Sequence, residues 1–485
     1  SRQLFERSGR RPRSEFCRAP SSRAAERSRS EAETDSVCAH GGHPLARRAG
    51  MASVMKRRTL ILSAAATALG APTWAHSKPT ILRFSWWGGG ARHEATLKAV
   101  RLFESRNPGL RIKAEYMGFQ GYLERLTTQV AGGAEPDVMQ INWAWLAMFS
   151  KRGTGFTDLT PHLAPATPGH FTAEDLASGR IQGRLNALPV SYSARVFLWN
   201  QGAWDRARLP LPRSWDDLLA AGALFRQRLG DNAYPLDGEL YDMLLLSQAW
   251  VQQTLGTPYL APGAEPRVAM SLAAATEWVR FYRRLVEQRV ATSLPHRASL
   301  GGAEKPTEQQ PDWVAGRWAG NYTWDSVIAL RGSTLKGENR LALGEFLTQP
   351  PALQSGIFGR PALMFAVGRH CKQPALAARL VEFLLTDPDA ATLLGRTRGL
   401  PAARPAFDKL KAAGAFPALE LQAHEQIRTQ REAGRIPLPA PLFEHPRMLK
   451  FMREVFELVA YGKSSDAAAA ERLVNQGQAL LKRLT

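Results

Sequence analysis

Aromatic and amide side chains follow the first and third predicted strands at the points where those strands end. Trp86 and Trp87 come directly after the first strand, and Asn142, Trp143 and Trp145 come after the third. Ligands of open parallel sheets bind beyond the carboxyl ends of the strands, so we expect these side chains to lie beside a ligand. An indole packs against the flat C–H face of a sugar ring, while amides bond its hydroxyl groups. The pattern therefore favours contact with a carbohydrate, and packing inside a core is the alternative for any single ring.

A run of three glycines separates the first of these strands from the helix that follows it. The backbone N–H groups of Gly88, Gly89 and Gly90 would meet a hydroxyl, carboxylate or phosphate oxygen at the beginning of that helix. Three glycines in a loop are also typical of a simple turn. The sequence leaves both interpretations open.

Recognisable catalytic signatures are missing from the sequence. The chain has no Gly-x-Ser-x-Gly elbow, and Leu97 and Arg428 stand where a zincin would need its second histidine after His93 and His424. Residues 462–464 resemble the end of a phosphate-binding loop, but the required glycine five residues earlier is missing. The 10 histidines form no metal-binding pattern. We therefore predict that the protein is not an enzyme and uses no metal or cofactor; a glycan-active enzyme with carboxylates from distant positions is the alternative.

Strands and helices alternate through the first part of the chain after residue 80. The apolar spacing predicts strands at 81–87, 111–117 and 137–142, with helices at 91–105 and 121–131 between them. Two further strands are expected at 185–189 and 195–199. This alternation is typical of a parallel sheet wrapped by helices, so the predicted fold class is α/β.

The rest of the chain is predicted to be mainly helical. The helices are expected at 218–229, 240–255, 272–288, 374–385, 388–394, 419–432, 446–461 and 466–484. The polar stretch 293–311 is interpreted as a long loop, and 313–330 as a strand that leads into a short helix. Further strands are predicted at 341–347 and 362–367.

The length of the chain favours two lobes. The 409 residues from 77 to 485 exceed the size at which a single core stops growing. Crossings between the lobes are predicted near Pro189 and near Phe365, and they leave a cleft that closes by hinge motion. The predicted lobes are residues 77–190 with 364–432, called lobe one, and residues 191–363 with 433–485, called lobe two.

The first 76 residues are interpreted as lying outside the folded protein. Residues 1–50 are rich in Arg, Ser, Ala and Glu, so we interpret them as a non-native or disordered extension. They lack the stacking aromatics of a nucleic-acid-binding tail, and no nucleic acid partner is predicted. Residues 51–76 have the basic start, short apolar stretch and small-residue cleavage site of a signal peptide. We expect an exported, periplasmic protein without a lipid anchor, and both the general and the twin-arginine export routes are open.

Charge and cysteine content change once these residues are set aside. The chain has 63 Lys and Arg against 43 Asp and Glu, and residues 77–485 keep 49 against 37, a formal charge of +12. This excess is compatible with an anionic ligand but does not require one. Cys371 is the one cysteine after residue 76, so no disulfide is expected within that part of the chain.

Short motifs along the chain together resemble a known family. They are Trp86-Trp87-Gly88, the stretch 133–139, the stretch 183–189, the stretch 194–200, Ser214-Trp215-Asp216-Asp217-Leu218, Gly316-Arg317-Trp318-Ala319-Gly320, the helix 375–385 before Asp387-Pro388, and Gly399-Leu400-Pro401-Ala402. In this order and spacing the chain is similar to the extracellular solute-binding proteins of sugar ABC transporters, family 1. That group includes the maltose-binding and glycerol-3-phosphate-binding proteins, and the resemblance covers most of the chain after residue 76.

The resemblance implies a type II periplasmic binding fold. A monomer of this family would bind an oligosaccharide, neutral or acidic, and pass it to ABC permease subunits in the inner membrane without catalysis. A glycerol-phosphate ester is the alternative ligand. The implied ligand-binding residues are Trp86, Trp87, Gln140, Asn142, Trp143 and Trp145 from lobe one, and Tyr192, Tyr241, Asp242, Tyr322, Trp324 and Asp325 from the hinge and lobe two. Arg398 is a further candidate for an acidic sugar, with a surface or interlobe ion pair as its alternative role.

Overall fold

The computed structural model describes residues 79–262, 266–352 and 354–484. The predicted extension at 1–50 and the predicted signal peptide at 51–76 lie outside the described residues. Within the described ranges, every helix is too short or too polar to cross a membrane.

The strands form one large sheet and a small ribbon. In chain order the strands are β1 Thr80–Trp87, β2 Leu110–Met117, β3 Val138–Asn142, β4 Arg180–Ile181, β5 Arg184–Leu185, β6 Ala187–Asn200, β7 Gly320–Trp324, β8 Leu341–Leu343 and β9 Gly359–Val367. The large sheet has the order β2-β1-β3-β9-β6-β7, with β8 paired to β6, and β4 and β5 form the ribbon. The predicted strands after residue 80 are therefore confirmed, with shifted ends and one merger.

The merger concerns β6, a single 14-residue strand that contains most of the strand predicted at 185–189 and all of the strand predicted at 195–199. The first part of β6, from Ala187 to Ala194, pairs antiparallel with β9. The second part pairs with β7 and β8. Because β1 runs parallel to β2 and β3, the carboxyl ends of these three strands lie at the same edge of the sheet.

The helices occupy the connections between strands and most of the C-terminal part. They are α1 Gly90–Ser105, α2 Tyr122–Ala131, α3 Trp143–Phe149, α4 Ala173–Ser178, α5 Gln201–Ala207, α6 Trp215–Leu229, α7 Leu240–Leu255, α8 Leu272–Glu287, α9 Leu294–Ser299, α10 Pro311–Val314, α11 Ile328–Gly332, α12 Pro374–Thr386, α13 Pro388–Leu394, α14 Arg404–Ala412, α15 Ala418–Glu432, α16 Pro446–Ala460, α17 Asp466–Glu471 and α18 Gly477–Leu484. A π-helical turn at Arg472–Gln476 joins the last two.

Two segments differ from the prediction because local capping favours helix. The stretch expected as a loop at 293–311 contains α9, whose N-cap Ser293 accepts a hydrogen bond from the backbone N–H of His296. The strand expected from Trp313 begins only at Gly320, since Pro311 starts the short helix α10. Proline at the first helical position fits a helix and offers no donor to a strand ladder.

The apolar side chains form separate cores at the two ends of the sheet. In lobe one, Phe84 and Phe365 belong to the core on one face of the sheet, while Met139 and Ile141 belong to the core on the other face. The core of lobe two surrounds Trp199. Ala423 and Ile427 of α15 are buried in this second core, although the predicted boundary placed α15 in lobe one. The division of the chain into lobes at the stated boundaries stays a prediction.

Candidate functional site

A cavity of about 830 Å³ lies at the carboxyl edge of β1 and β3, between residues of the two lobes. Phe119, Asn142 and Trp145 of lobe one line one side, and Leu449 and Arg453 of α16 line the other. The remaining lining residues are Gln120, Gly121, Leu123, Glu124, Glu304, Glu444, Pro446, Lys450, Glu454 and Glu457. This is the edge of the sheet at which the sequence predicted a ligand.

An aromatic cluster forms the lobe-one side of this cavity. The ring of Trp145 lies 5.1 Å from that of Trp87, measured between centroids, and 6.5 Å from that of Phe119. The Phe119 and Trp145 rings are nearly parallel, at 14°. Trp87 and Trp145 are buried, whereas Phe119 is 61 % exposed. Phe119 was not among the predicted site residues, because it follows a strand as a single ring in an otherwise polar and glycine-containing stretch.

Three of the predicted rings lie inside the lobes instead. Trp86 is fully buried, stacks on Tyr116 with centroids 5.0 Å apart, and donates from Nε1 to Nδ1 of His93 at 3.1 Å. Trp143 is also buried and donates from its indole to the carbonyl of Ser178 at 3.0 Å. Tyr322 is fully buried in the core of lobe two. These rings pack the lobes in this structure, and their roles as ligand contacts are left as predictions.

The predicted hinge residues Tyr241, Asp242 and Trp324 meet in one charged cluster. The Trp324 ring lies between the guanidinium groups of Arg195 and Arg360, each 4.4 Å from the ring centre. Arg195 forms a buried ion pair with Asp242. The ring of Tyr241 lies 5.2 Å from the Arg195 guanidinium. Burial raises the pKa of Asp242, and the charge of Arg195 opposes that rise.

A second ion pair connects this hinge cluster to the cavity. Arg360 of β9 pairs with Glu444, which lines the cavity, and the Tyr241 hydroxyl lies 3.5 Å from Glu444. Arg195, Arg360 and Glu444 were not predicted, because their partners are distant in sequence. Both guanidinium groups of the cluster are neutralised by carboxylates, so the cluster offers orientation and ring stacking rather than free positive charge.

The cavity itself has more acidic than basic side chains. Several of the carboxylates are in ion pairs: Glu304 with Arg453 at 2.8 Å, and Glu454 with Lys450 at 3.8 Å. The lobe-two side therefore presents polar groups that can accept hydrogen bonds from hydroxyls and donate hydrogen bonds to them. It has no excess of positive charge.

Tyr192 and Asp325 line a different cavity, of about 370 Å³, next to α4, α14 and α15. The Tyr192 ring lies 3.7 Å from the guanidinium carbon of Arg431, and Arg431 pairs with Asp175 of α4 at 2.8 Å. Asp325 accepts hydrogen bonds from the Ser193 hydroxyl and from the backbone N–H of Ala194. Burial raises the pKa of Asp325 to about 6 despite these donors. The structure therefore does not bring these two predicted residues to the first cavity.

The amides predicted on β3 differ in their surroundings. Asn142 lines the cavity and caps α3, accepting from the backbone N–H of Ala144 at 3.1 Å. Gln140 is fully buried, donates to the carbonyl of Trp87 at 3.3 Å and accepts from Nε of Arg398 at 2.8 Å.

Arg398 is buried without the ion pair that was its alternative role. Its Nη1 and Nη2 have no hydrogen-bond partner among the residues that the structure describes, and 7 % of the residue is exposed. Burial, together with the nearby charge of Arg92, lowers the pKa of Arg398 to about 9. The part of the chain that the structure describes holds no group of three or more His, Cys, Asp or Glu side chains placed to bind a metal.

Comparison with known proteins connects this geometry to a family. The sequence model described as bacterial extracellular solute-binding protein matches residues 89–391. Among curated proteins, putative binding proteins from Brucella abortus and Brucella suis are 25% identical over 191 residues. That match covers 39% of this chain and 45% of the relatives, so the chain spans about half the length of the curated relatives it matches.

Solved structures match over a larger part of the chain. A periplasmic oligogalacturonide binding protein from Yersinia enterocolitica is 35% identical, with a TM-score of 0.75, and the match covers 84% of this chain and 100% of that one. The same protein has been solved in complex with saturated digalacturonic acid. A de novo designed cysteine esterase is 34% identical over 84% of this chain and 99% of its own, with a TM-score of 0.78. The expected type II periplasmic binding fold is therefore confirmed.

Proposed function

The chain belongs to the bacterial extracellular solute-binding proteins, and on that premise we propose that it captures an oligosaccharide between its lobes and delivers it, chemically unchanged, to the permease of an ABC importer. It acts as a monomer in the periplasm and uses no cofactor. The observation that carries this proposal is the cavity of about 830 Å³ between the Phe119–Trp145 side and α16.

The size and lining of the cavity support a sugar as the occupant. Its volume falls within the range of about 300–1,000 Å³ that is usual for small-molecule sites. The nearly parallel rings of Phe119 and Trp145 offer a flat apolar surface to the C–H face of a pyranose. Asn142 and the ion-paired side chains of α16 surround that surface with groups that bond hydroxyls.

The position of the cavity supports capture by closure. It is lined by both lobes, which are joined by β6 and β9, so a ligand that contacts both sides favours the state in which they approach. The similar oligogalacturonide binding protein from Yersinia enterocolitica supports a galacturonate oligomer as the first ligand to test.

Isothermal titration calorimetry with digalacturonate, a neutral galactose disaccharide and maltose tests the proposal. We expect saturable one-to-one binding of at least one of these sugars, with an accompanying change in tryptophan fluorescence. The bound sugar should be recovered intact after overnight incubation. Failure of all three sugars, together with a panel of longer neutral and acidic oligosaccharides, would overturn the proposal, and new reducing ends would favour the glycan-active enzyme instead.

A further inference from the structure

Four arginines are buried in the part of the chain that the structure describes, and one of them differs from the others. Arg195, Arg297 and Arg360 each form an ion pair with a carboxylate. Within the described ranges, Arg398 has one hydrogen bond, from Nε to the side-chain oxygen of Gln140, and its Nη1 and Nη2 have no partner. A buried charge without a counter-ion is costly, so this guanidinium is a place where an anion would be strongly favoured.

The beginning of α1 is the second positive feature of this region. The helix has 16 residues, its N-cap Gly89 offers no side-chain cap, and its first turn holds no acidic residue. The helix dipole therefore adds partial positive charge at this end without a carboxylate to balance it. A Cβ atom built on Gly89 or Gly90 would meet nothing within 4 Å, so neighbouring atoms leave space beside this end of the helix.

A short chain of hydrogen bonds connects Arg398 to this end of α1. Gln140 accepts from Arg398 and donates to the carbonyl of Trp87, and the same carbonyl accepts from Nη1 of Arg92 in the first turn of α1 at 3.0 Å. Arg92 also donates to the carbonyl of Thr397, beside Arg398, at 2.8 Å. Both acceptors of Arg92 are neutral carbonyls. These contacts therefore leave the positive charge of a second guanidinium group without a counter-ion.

The region lies at the same edge of the sheet as the cavity. Gln140 precedes the cavity residue Asn142 by two positions on β3, which places it about 7 Å further back along the strand. The backbone N–H of Gly88 bonds the carbonyl of Met117, two residues before the exposed ring of Phe119. The ring of Trp87, three residues before α1, lies 5.7 Å from that of Phe119, measured between centroids, so the beginning of α1 follows directly on the aromatic side of the cavity.

The positive charges near this end of α1 affect the pKa of His93, one turn into the helix. The pKa of His93 is lowered first by partial burial and then by the charges of Arg92 and Arg398. A neutral imidazole is expected there, bonded by the indole of Trp86. Its protonation is therefore opposed by the same two guanidinium groups that favour an anion.

We propose that the amino-terminal end of α1, with Arg92 and Arg398 behind it, is the subsite that binds the carboxylate of a uronic acid residue, so that the protein selects acidic over neutral oligosaccharides. This inference rests on the proposed function, since it assigns the substrate class of the same cleft. A free inorganic anion is the other source of the same chemistry, and a cavity of about 30 Å³ beside Arg398 has room for an occupant of that size.

Calorimetry with digalacturonate and its dimethyl ester isolates the carboxylate, because the two sugars have the same rings and differ in charge. We expect the wild-type protein to bind digalacturonate about tenfold more tightly than the ester, or better. Arg398→Gln should reduce that preference to about threefold or less while leaving the affinity for the ester within about twofold. Arg396→Gln, two residues earlier at a surface pair with Glu420, is the matched control and should keep the full preference.

A second variant tests the helix end without touching a buried residue. Ala91→Glu places a carboxylate in the first turn of α1, where it favours the helix and competes with a ligand anion. We expect its preference for digalacturonate over the ester to fall by about fivefold or more, with a thermal stability no lower than that of the wild-type protein.

The outcomes separate the two proposals. Equal affinity of the wild-type protein for the acid and the ester would overturn the carboxylate subsite and leave the sugar-binding function standing. Chloride binding that depends on Arg398, detected by chloride NMR line broadening, combined with no preference for the acid, would assign the site to an inorganic anion and also overturn the proposal. Binding of neither sugar would also overturn the carboxylate subsite, and the proposed function would be contradicted only if the neutral disaccharides and the panel of longer oligosaccharides failed as well.

Discussion

The Nε atom of Arg398 donates a hydrogen bond of 2.8 Å to Oε1 of Gln140, and this is the one protein hydrogen bond that the structure gives to its guanidinium. The two terminal nitrogens are buried and have no hydrogen-bond partner in the described part of the chain. Arg398 lies 258 residues after Gln140 in the sequence, so the fold holds this charge in place through long-range contacts. We expect a residue of this kind to lower the stability of the ligand-free protein and to strengthen ligand binding.

The first prediction concerns the effect of Arg398 on stability and on ligand binding. Arg398→Met removes an uncompensated buried charge, so we expect the ligand-free variant to be more stable than the wild-type protein by about 1 kcal/mol or more. Urea denaturation monitored by circular dichroism measures the difference. A loss of stability would indicate that the guanidinium serves packing in the absence of ligand. The same variant should have lost its preference for acidic sugars, which a purely structural residue would not affect.

The second prediction concerns the exposed ring of Phe119. Because 61 % of this residue is exposed, Phe119→Ala should change the free energy of unfolding by less than about 0.5 kcal/mol. Its affinity for the bound sugar should fall about five- to tenfold, since one stacking surface is lost. Leu272→Ala, at a 51 % exposed position of α8 outside the cavity lining, is the matched control. Calorimetric affinities that agree for the two variants would remove Phe119 from the site.

The third prediction separates structural from ligand-binding carboxylates. Asp242→Asn leaves the fully buried Arg195 without its counter-ion, so we expect a loss of about 3 kcal/mol or more in unfolding free energy. Asp216→Asn, at an exposed position in the first turn of α6, should cost less than about 0.5 kcal/mol. Thermal unfolding followed by circular dichroism compares the two. An Asp242→Asn protein of normal stability with weakened sugar binding would instead support the role that the sequence predicted.

The fourth prediction concerns pH. The folded pKa of Asp325 is raised to about 6, whereas the unfolded value is about 4. Its contribution to stability is therefore full below about pH 4 and is lost as the pH rises to about 6. Relative to Asp325→Asn, the wild-type protein should lose about 2–3 kcal/mol between pH 4 and pH 7.5.

Denaturant midpoints of both proteins across that range provide the measurement, because the titration of all other groups cancels in the difference. The Asn side chain keeps an oxygen that accepts from Ser193, so the comparison isolates the charge. A difference that does not change with pH would contradict the raised pKa.

The positions of the strands were predictable, whereas the directions of individual side chains at their ends were not. Apolar spacing identified β1 and β3 and hence the edge of the sheet where the cavity lies. Trp86 and Trp87 are adjacent, so they point to opposite faces of β1. One packs under α1 and the other under the Phe119–Trp145 cluster. Only the helices on each face determine which ring lies on the side of Phe119 and Trp145, and the sequence does not give that packing.

The charged cluster at the hinge could not be predicted for a different reason. Arg195 pairs with Asp242 across 47 residues, and Arg360 pairs with Glu444 across 84. In the sequence, a charged residue such as each of these is typical of a surface position. The burial of these residues follows only from the crossing of β6 and β9 between the lobes. Similarly, no helix was predicted directly after Asn142, yet the segment forms α3, since Asn142 caps it and apolar residues fill its first turns.

The placement of β9 between β3 and β6 affects how this chain folds during its synthesis. Residues 359–367 are synthesised long after both neighbouring strands, so β3 and β6 have unpaired edges until the ribosome has passed most of the sequence. Such edges are sites of aggregation, and contacts so far apart in sequence form slowly. A chain truncated before Gly359 should therefore neither complete its central sheet nor escape proteolysis.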